Sequence, residues 1–301
     1  MLLSDNSPLP GHVWAVVRLL IAQGGSIGVD EARCLLSPPS LGAEATAAPP
    51  FDIAVRSLAE LGLATQGEGQ ITLAESAHAL NVDDVSAFTE WLRRAVLATE
   101  NNDGLGVDDR QGGPRDLTQA LAWFLSLDPL GGALRWKGEE GVEQRQGKAL
   151  RPELGLPLRN EFRWGRFVQW APALGFAGRP VFTGDDRAQG LAPDCTAAVR
   201  RTVLNLWDQG ESVEAVSAVA RIRAALPVLP GGTFAESLGL SVHEGRLDAA
   251  LSFALLGGDE QGWIKLERRA DAARAVQVAD PALASGSRRV THLVILGENN
   301  G

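Results

Sequence analysis

Apolar positions recur along the first seventy residues in three helical stripes followed by a hairpin. Val13, Val16, Val17, Leu20 and Ile21 fall on one face of a helix, and Gly24-Gly25 stop it. A short second helix over 30–36 leads into a loop of Ser, Ala and Pro over 37–50. Phe51, Val55, Leu58 and Leu61 then line a third helix closed by Gly62. Between 63 and 73, Gly67 and Gly69 turn the chain between two strand-like pieces. This order predicts a winged helix-turn-helix over 1–80.

The same reading continues to the C-terminus. Amphipathic helices at 84–100 and 116–127 form a helical connector over 81–130, and the charged, glycine-containing stretch 131–158 reads as a linker or loop. A middle winged-helix-like unit is predicted over 159–210. It has a helix from Asn160 to Leu174, a wing around the TGDD of 183–186, and a helix from Cys195 capped by Asp194. Over 211–301 the plan repeats. Helices near 212–226 and 233–239 precede one at 243–256 with Leu247, Leu251 and Leu255 on its apolar face. Strands at 263–266 and 289–296 then pair across a long, mobile wing. The fold class expected is mainly α with small β wings, in tandem winged helix-turn-helix units.

Composition narrows the function classes. At 45% hydrophobic and 22% charged, the 301-residue chain is an ordinary folded protein. No apolar run approaches the roughly 20 residues of a membrane helix, and the N-terminus lacks the basic flank and apolar stretch of a signal peptide. Two widely separated cysteines, Cys34 and Cys195, fit a reducing compartment, so a cytoplasmic location is expected. A net charge of −9 disfavours indiscriminate coating of nucleic acid. Only residues 151–210 are basic, with 8 basic and 6 acidic side chains.

That segment carries the candidate chemistry. Arg159, Arg163 and Arg166 follow the i, i+4, i+7 spacing of one helical face, with Trp164, Phe167, Val168 and Leu174 on the other. A basic stripe backed by an aromatic core is what a phosphate-contacting helix needs, and Arg179 in the wing would add a contact. The opposing interpretation, a solvated face paired to the chain's own carboxylates, stays open because Glu161 interrupts the stripe. In the first unit, Asp52, Arg56, Ser57 and Glu60 nearly cancel in charge, which favours packing or protein contact. Lys265, Arg268, Arg269, Arg274, Arg288 and Arg289 in the last unit are diluted by Glu267, Asp271 and Asp280, which favours a solvated surface.

Enzyme signatures are sparse. Gly141 to Lys148 has five residues between its glycines and Ala149 where a phosphate loop needs Ser or Thr. His12, His78, His243 and His292 are scattered singly, so no metal site is expected. No nucleophile elbow or dinucleotide fingerprint is present. Most of the eight tryptophans fall on apolar stripes; Trp136, between Arg135 and Lys137, is the exception.

The blocks FRWGRFVQWAPALGFAG (162–178), LAPDCTAAVRR (191–201), ALPVLPGGTF (225–234) and LSFALLGGDEQGWIKLERRADA (251–272) resemble the DpdG-like proteins. These belong to bacterial gene clusters that insert 7-deazaguanine derivatives into DNA and restrict DNA lacking them. The likeness covers the C-terminal half well and the first winged helix by position. It departs from the family pattern at Cys195, where proline is usual, and at Gly257-Gly258, where leucine-arginine is usual; the glycine pair leaves the end of that helix open. The resemblance implies an accessory protein beside modification and restriction enzymes, and supplies no catalytic residue or cofactor. The function expected is therefore a non-catalytic adaptor in an anti-phage modification and restriction system. It would touch double-stranded DNA through Arg159, Arg163, Arg166 and Arg179 and bind other proteins of the complex. The alternatives are a protein scaffold without DNA contact and a winged-helix transcription regulator.

Overall fold

The computed structural model describes residues 1–4, 7–38, 50–109, 112–137, 141–179, 190–240 and 246–297. It is mainly helical, with small antiparallel sheets. The chain divides into two compact units. One is made of Met1–Asp103, Arg110–Leu117 and Pro157–Leu174, the other of Gly104–Asp109, Thr118–Leu156 and Gly175–Gly301.

In the first unit, α1 (Pro10–Ala22) begins with Pro10 where a missing N–H costs nothing. It buries Val13, Val16, Val17 and Leu20, as the spacing requires. A three-residue strand, β1 (Ser26–Gly28), precedes α2 (Val29–Leu36), and α3 (Pro50–Glu60) leads into β2 (Ala64–Gly67) and β3 (Gln70–Leu73). The sheet order is β1-β3-β2, with Ile27 opposite Ile71. The hairpin turns at Glu68 and Gly69, both at positive φ (52° and 76°), the conformation that matches the twist of a tight hairpin. Thus Gly67 ends a strand, and the turn lies one residue further on than the glycine pattern predicts. α4 (Val85–Val96) starts at Asp84, whose carboxylate accepts from the Ala87 N–H at 2.9 Å.

The predicted middle unit does not stand by itself. α7 (Glu161–Ala173) belongs to the first unit, where Trp164, Phe167, Val168 and Trp170 are buried and the Trp170 indole donates to the Pro8 carbonyl at 3.1 Å. α8 (Thr196–Leu206) belongs to the second. Helical periodicity states that a face is buried without naming its partner, so consecutive helices looked like one unit. The wing expected around the TGDD lies outside the described residues; its flanks, β4 (Ala177–Gly178) and β5 (Ala192–Pro193), pair antiparallel. The expected linker 131–158 is structured. Leu134 and Leu191 exchange backbone hydrogen bonds at 2.7 and 3.0 Å, α6 (Val142–Ala149) forms, and Leu150, Leu154 and Leu158 are buried. The division between the units falls inside α5 (Arg115–Leu125).

From α8 onward the second unit follows the first unit's order with one short helix and one strand pair added. β6 (Ser212–Glu214), α9 (Ala215–Ala225), the short α10 (Thr233–Ser237), α11 (Ala249–Gln261) and β7 (Ile264–Glu267) follow α8. β8 (Val276–Ala279) pairs with β9 (Ser287–Val290), and β10 (His292–Ile295) lies centrally in the order β6-β10-β7. The expected mobile wing therefore holds its own antiparallel pair. Both third helices end at a left-handed glycine, Gly62 or Gly262. Beside these stand a Leu58 and Leu63 pair in one unit and a Gly258 and Trp263 pair in the other. Where Leu58 is buried, the smallest residue makes room for the largest: an added Cβ at 258 would sit 2.5 Å from Trp263 Cζ2. α11 runs through both glycines to Gln261 instead of stopping near 256.

Candidate functional site

The arginine stripe of 159–166 does not form one face. Asn160 caps α7, its side chain accepting from the Arg163 N–H at 2.9 Å. Arg159 therefore precedes the helix, exposed to solvent. Arg163 is only 3% exposed. Its guanidinium donates to the Pro157 carbonyl at 2.9 Å and reaches Met1 Sδ at 3.8 Å, so it offers no surface to a phosphate. Arg166 is half-buried, 5.0 Å over the Phe162 ring. Arg179 is exposed beyond β4. The cause was legible: 163 shares a helical face with Phe167, Trp170 and Leu174, all buried.

Arg163 instead serves a buried polar centre. The Asp116 carboxylate accepts from the N–H groups of Leu2 (3.0 Å), Leu3 (2.9 Å) and Leu117 (2.8 Å). Burial pushes its pKa up, opposed by those N–H groups, the N-terminal amine and the charge of Arg163. Nearby, burial and the Arg166 charge hold the His12 pKa below its ordinary value. His12 Nδ1 accepts from the Leu9 N–H at the start of α1, at 3.4 Å.

In the second unit the basic residues of the last hairpin region are partly neutralised. Glu267 pairs with Lys265 at 3.1 Å and Arg269 at 3.0 Å, and hydrogen bonds from Arg269 and Lys265 lower its pKa. Arg288 bridges Asp259 at 2.9 Å and Asp280 at 3.0 Å. Arg268, Arg274 and Arg289 stay exposed.

A groove that the sequence did not reveal runs along the outward side of α11. Asp248 caps that helix, accepting from Leu251 N–H at 2.8 Å; burial raises its pKa, against that hydrogen bond and the charge of Arg223. Ala250, Leu251, Ala254, Leu255 and Gly258 then point inward. The opposite side, with Phe253, Leu256 and Glu260, joins the 128–130 turn and the 279–286 loop around a volume of about 690 Å³. Helix periodicity gave part of this; the turn and the loop come from remote sequence. Trp136 is half-buried beside Gly141 and Glu143.

The family model described as DpdG-like matches residues 1–272. The chain belongs to the DpdG-like family. Membership links it to the bacterial 7-deazaguanine DNA modification system. Neither the curated proteins nor the solved structures give a match. The family match takes in both third helices and ends before β8, β9 and β10. Cys195 and Gly257-Gly258 sit in ordered places. Cys195, immediately before α8, has a buried thiol whose pKa burial drives well up; it takes the cap position expected of Asp194, whose side chain still accepts from the Thr196 N–H at 2.9 Å. Gly257-Gly258 lie within α11. Gly141 to Lys148, which lacks a phosphate-loop pattern, is mostly the helix α6. Among the described residues, no three His, Cys, Asp or Glu side chains gather as a metal site, and no helix is long and apolar enough to cross a membrane.

Proposed function

We propose that this DpdG-like chain is a cytoplasmic, non-catalytic adaptor of a 7-deazaguanine DNA modification and restriction system. In this proposal two winged-helix units hold partner proteins of the complex. The order helix-strand-helix-helix-strand-strand, with the last strand central in the sheet, supports the winged-helix assignment for the first unit, and for the second once the added α10 and the β8–β9 pair are set aside. One observation carries the adaptor role: the outward side of the third helix, where a DNA-reading winged helix places its bases and phosphate contacts, holds Ala249, Phe253, Leu256, Gly257 and Glu260 in the second unit. None of these donates to a phosphate. In the first unit, Arg56 and Glu60 are exposed and Asp52 is engaged by Arg33 at 3.0 Å.

The experiment is purification of the chain with the other proteins of its gene cluster after nuclease treatment, alongside duplex binding by fluorescence anisotropy over a salt series. An adaptor retains a partner without DNA; loss of every partner on nuclease treatment refutes it. Direct duplex contact is a second reading, favoured by Arg268, Arg274 and Arg289, exposed and without an ion pair among the described residues. It predicts that replacing these three with alanine lowers the slope of log affinity against log salt by up to about 3. An unchanged slope removes the wing from DNA contact.

A further inference from the structure

We infer that the groove along α11 is a docking site for a cationic, apolar segment of a partner protein: two or three large hydrophobic side chains flanked by arginine or lysine. The inference rests on the adaptor reading and names its surface. Two independent features of the groove converge on this occupant.

The first is apolar surface left uncovered. Leu130 is 61% exposed and Phe253 39%, both among the large hydrophobic side chains most open to solvent, and both line this one groove. Leu256 also lines it. A volume near 690 Å³ falls within the range that takes in a few side chains of a bound segment.

The second is charge. Asp128, Asp194 and Glu260 stand on the rim, and none has an ion pair among the described residues. Asp128 and Asp194 are held by their own turns, accepting from the N–H of Leu130 and of Thr196, each at 2.9 Å. A fourth carboxylate, Asp280, is already neutralised by Arg288. Arg246 is the one base lining the groove that is not so engaged, which leaves the rim net negative. Phosphates are repelled by such a rim, and an acidic peptide would bury like charges together. A segment with guanidinium or ammonium groups beside its apolar anchors satisfies both features at once.

The test uses the full chain and a library of displayed random peptides, selected on the native protein and counter-selected on Phe253→Asp/Glu260→Lys. Circular dichroism checks that the variant keeps its helix content. Leu130→Ser, on an exposed turn remote from the core, provides a second variant that does not touch α11. The expected peptides carry net positive charge and at least two large apolar residues. Synthesised and measured by anisotropy, they bind more weakly as salt rises. They lose about tenfold or more in affinity on Phe253→Asp and several-fold on Glu260→Lys or Leu130→Ser. Recovery of neutral or acidic peptides, affinity indifferent to all three changes, or no peptide that distinguishes native protein from the variant overturns the inference. The adaptor reading fails separately: if the native chain retains no protein of its cluster, the adaptor role falls. If it retains one equally well with Phe253→Asp/Glu260→Lys, the role stands and the groove assignment falls.

Discussion

Gly258→Ala and Gly257→Ala, adjacent in one helix, are expected to move stability in opposite directions. Replacing an interior helical glycine by alanine gains about 1 kcal/mol when nothing stands in the way. At 257 nothing does: a Cβ would meet its nearest atoms, on Gln261 and Thr196, at 3.9 and 4.0 Å. At 258 the Cβ would lie 2.5 Å from Trp263 Cζ2 and 2.8 Å from Cε2 and Cη2. That indole is 1% exposed and cannot swing into solvent. Overpacking of this kind costs about 1–3 kcal/mol, and a rigid ring struck on three atoms puts the cost at or beyond the upper end. Against the propensity gain, Gly258→Ala is expected to lose about 2 kcal/mol or more, while Gly257→Ala gains roughly 0.5–1 kcal/mol. Equilibrium urea unfolding read by circular dichroism gives both midpoints at a common slope. Adding Trp263→Leu to Gly258→Ala should recover part of the loss, because the smaller partner vacates the space the methyl needs. A Gly258→Ala midpoint at or above that of Gly257→Ala would refute the claim that α11 is shaped around Trp263.

Arg163→Ala should destabilise by about 2 kcal/mol or more, since it strips a buried carbonyl of a charged donor and leaves Asp116 with less compensation; an unmoved urea midpoint would contradict its burial. Arg166→Ala should cost only about 0.5–1 kcal/mol, the worth of its contact with Phe162. His12 has its pKa lowered from 6.5, so the folded state prefers the neutral ring. Its contribution to stability is fully present above that value and is lost as pH falls through the lowered one. An NMR titration should place its midpoint below 6.5, and Arg166→Gln should move it upward; a midpoint at or above 6.5 counts against this environment.

The longer helices were legible because their apolar spacing is strong. α1, α3, α4, α5 and α7 begin and end within a few residues of the periodic stretches, and six of the eight tryptophans are buried. Pieces that depend on remote partners were not. β1, β4 and β5 are two or three residues long, too short to show an alternation, and exist through pairing with strands elsewhere in the chain. The 131–158 stretch looks like a linker because Gly131, Gly132, Gly138, Gly141, Pro152, Gly155 and Pro157 punctuate it, although Leu134, Leu150, Leu154 and Leu158 are buried. Arg163 was misplaced for a different reason: 163, 167, 170 and 174 share one helical face, and the three residues that follow it on that face are buried. The α11 groove needed four segments brought together, 128–130, 194–196, 246–261 and 279–286, of which the α11 helix announces itself most clearly.

The central claim is that partner proteins, engaged through the α11 groove, and not phosphates engaged through α7, define what this chain does. It is tested most directly by reconstituting the chain with the other proteins of its gene cluster, treating with nuclease, and comparing two variants by size-exclusion chromatography. Phe253→Asp/Glu260→Lys should elute apart from its partner, whereas Arg159→Ala/Arg166→Ala/Arg179→Ala, which leaves buried Arg163 in place, should co-elute as the native chain does. Co-elution of the groove variant together with loss of the complex in the arginine variant would contradict the account.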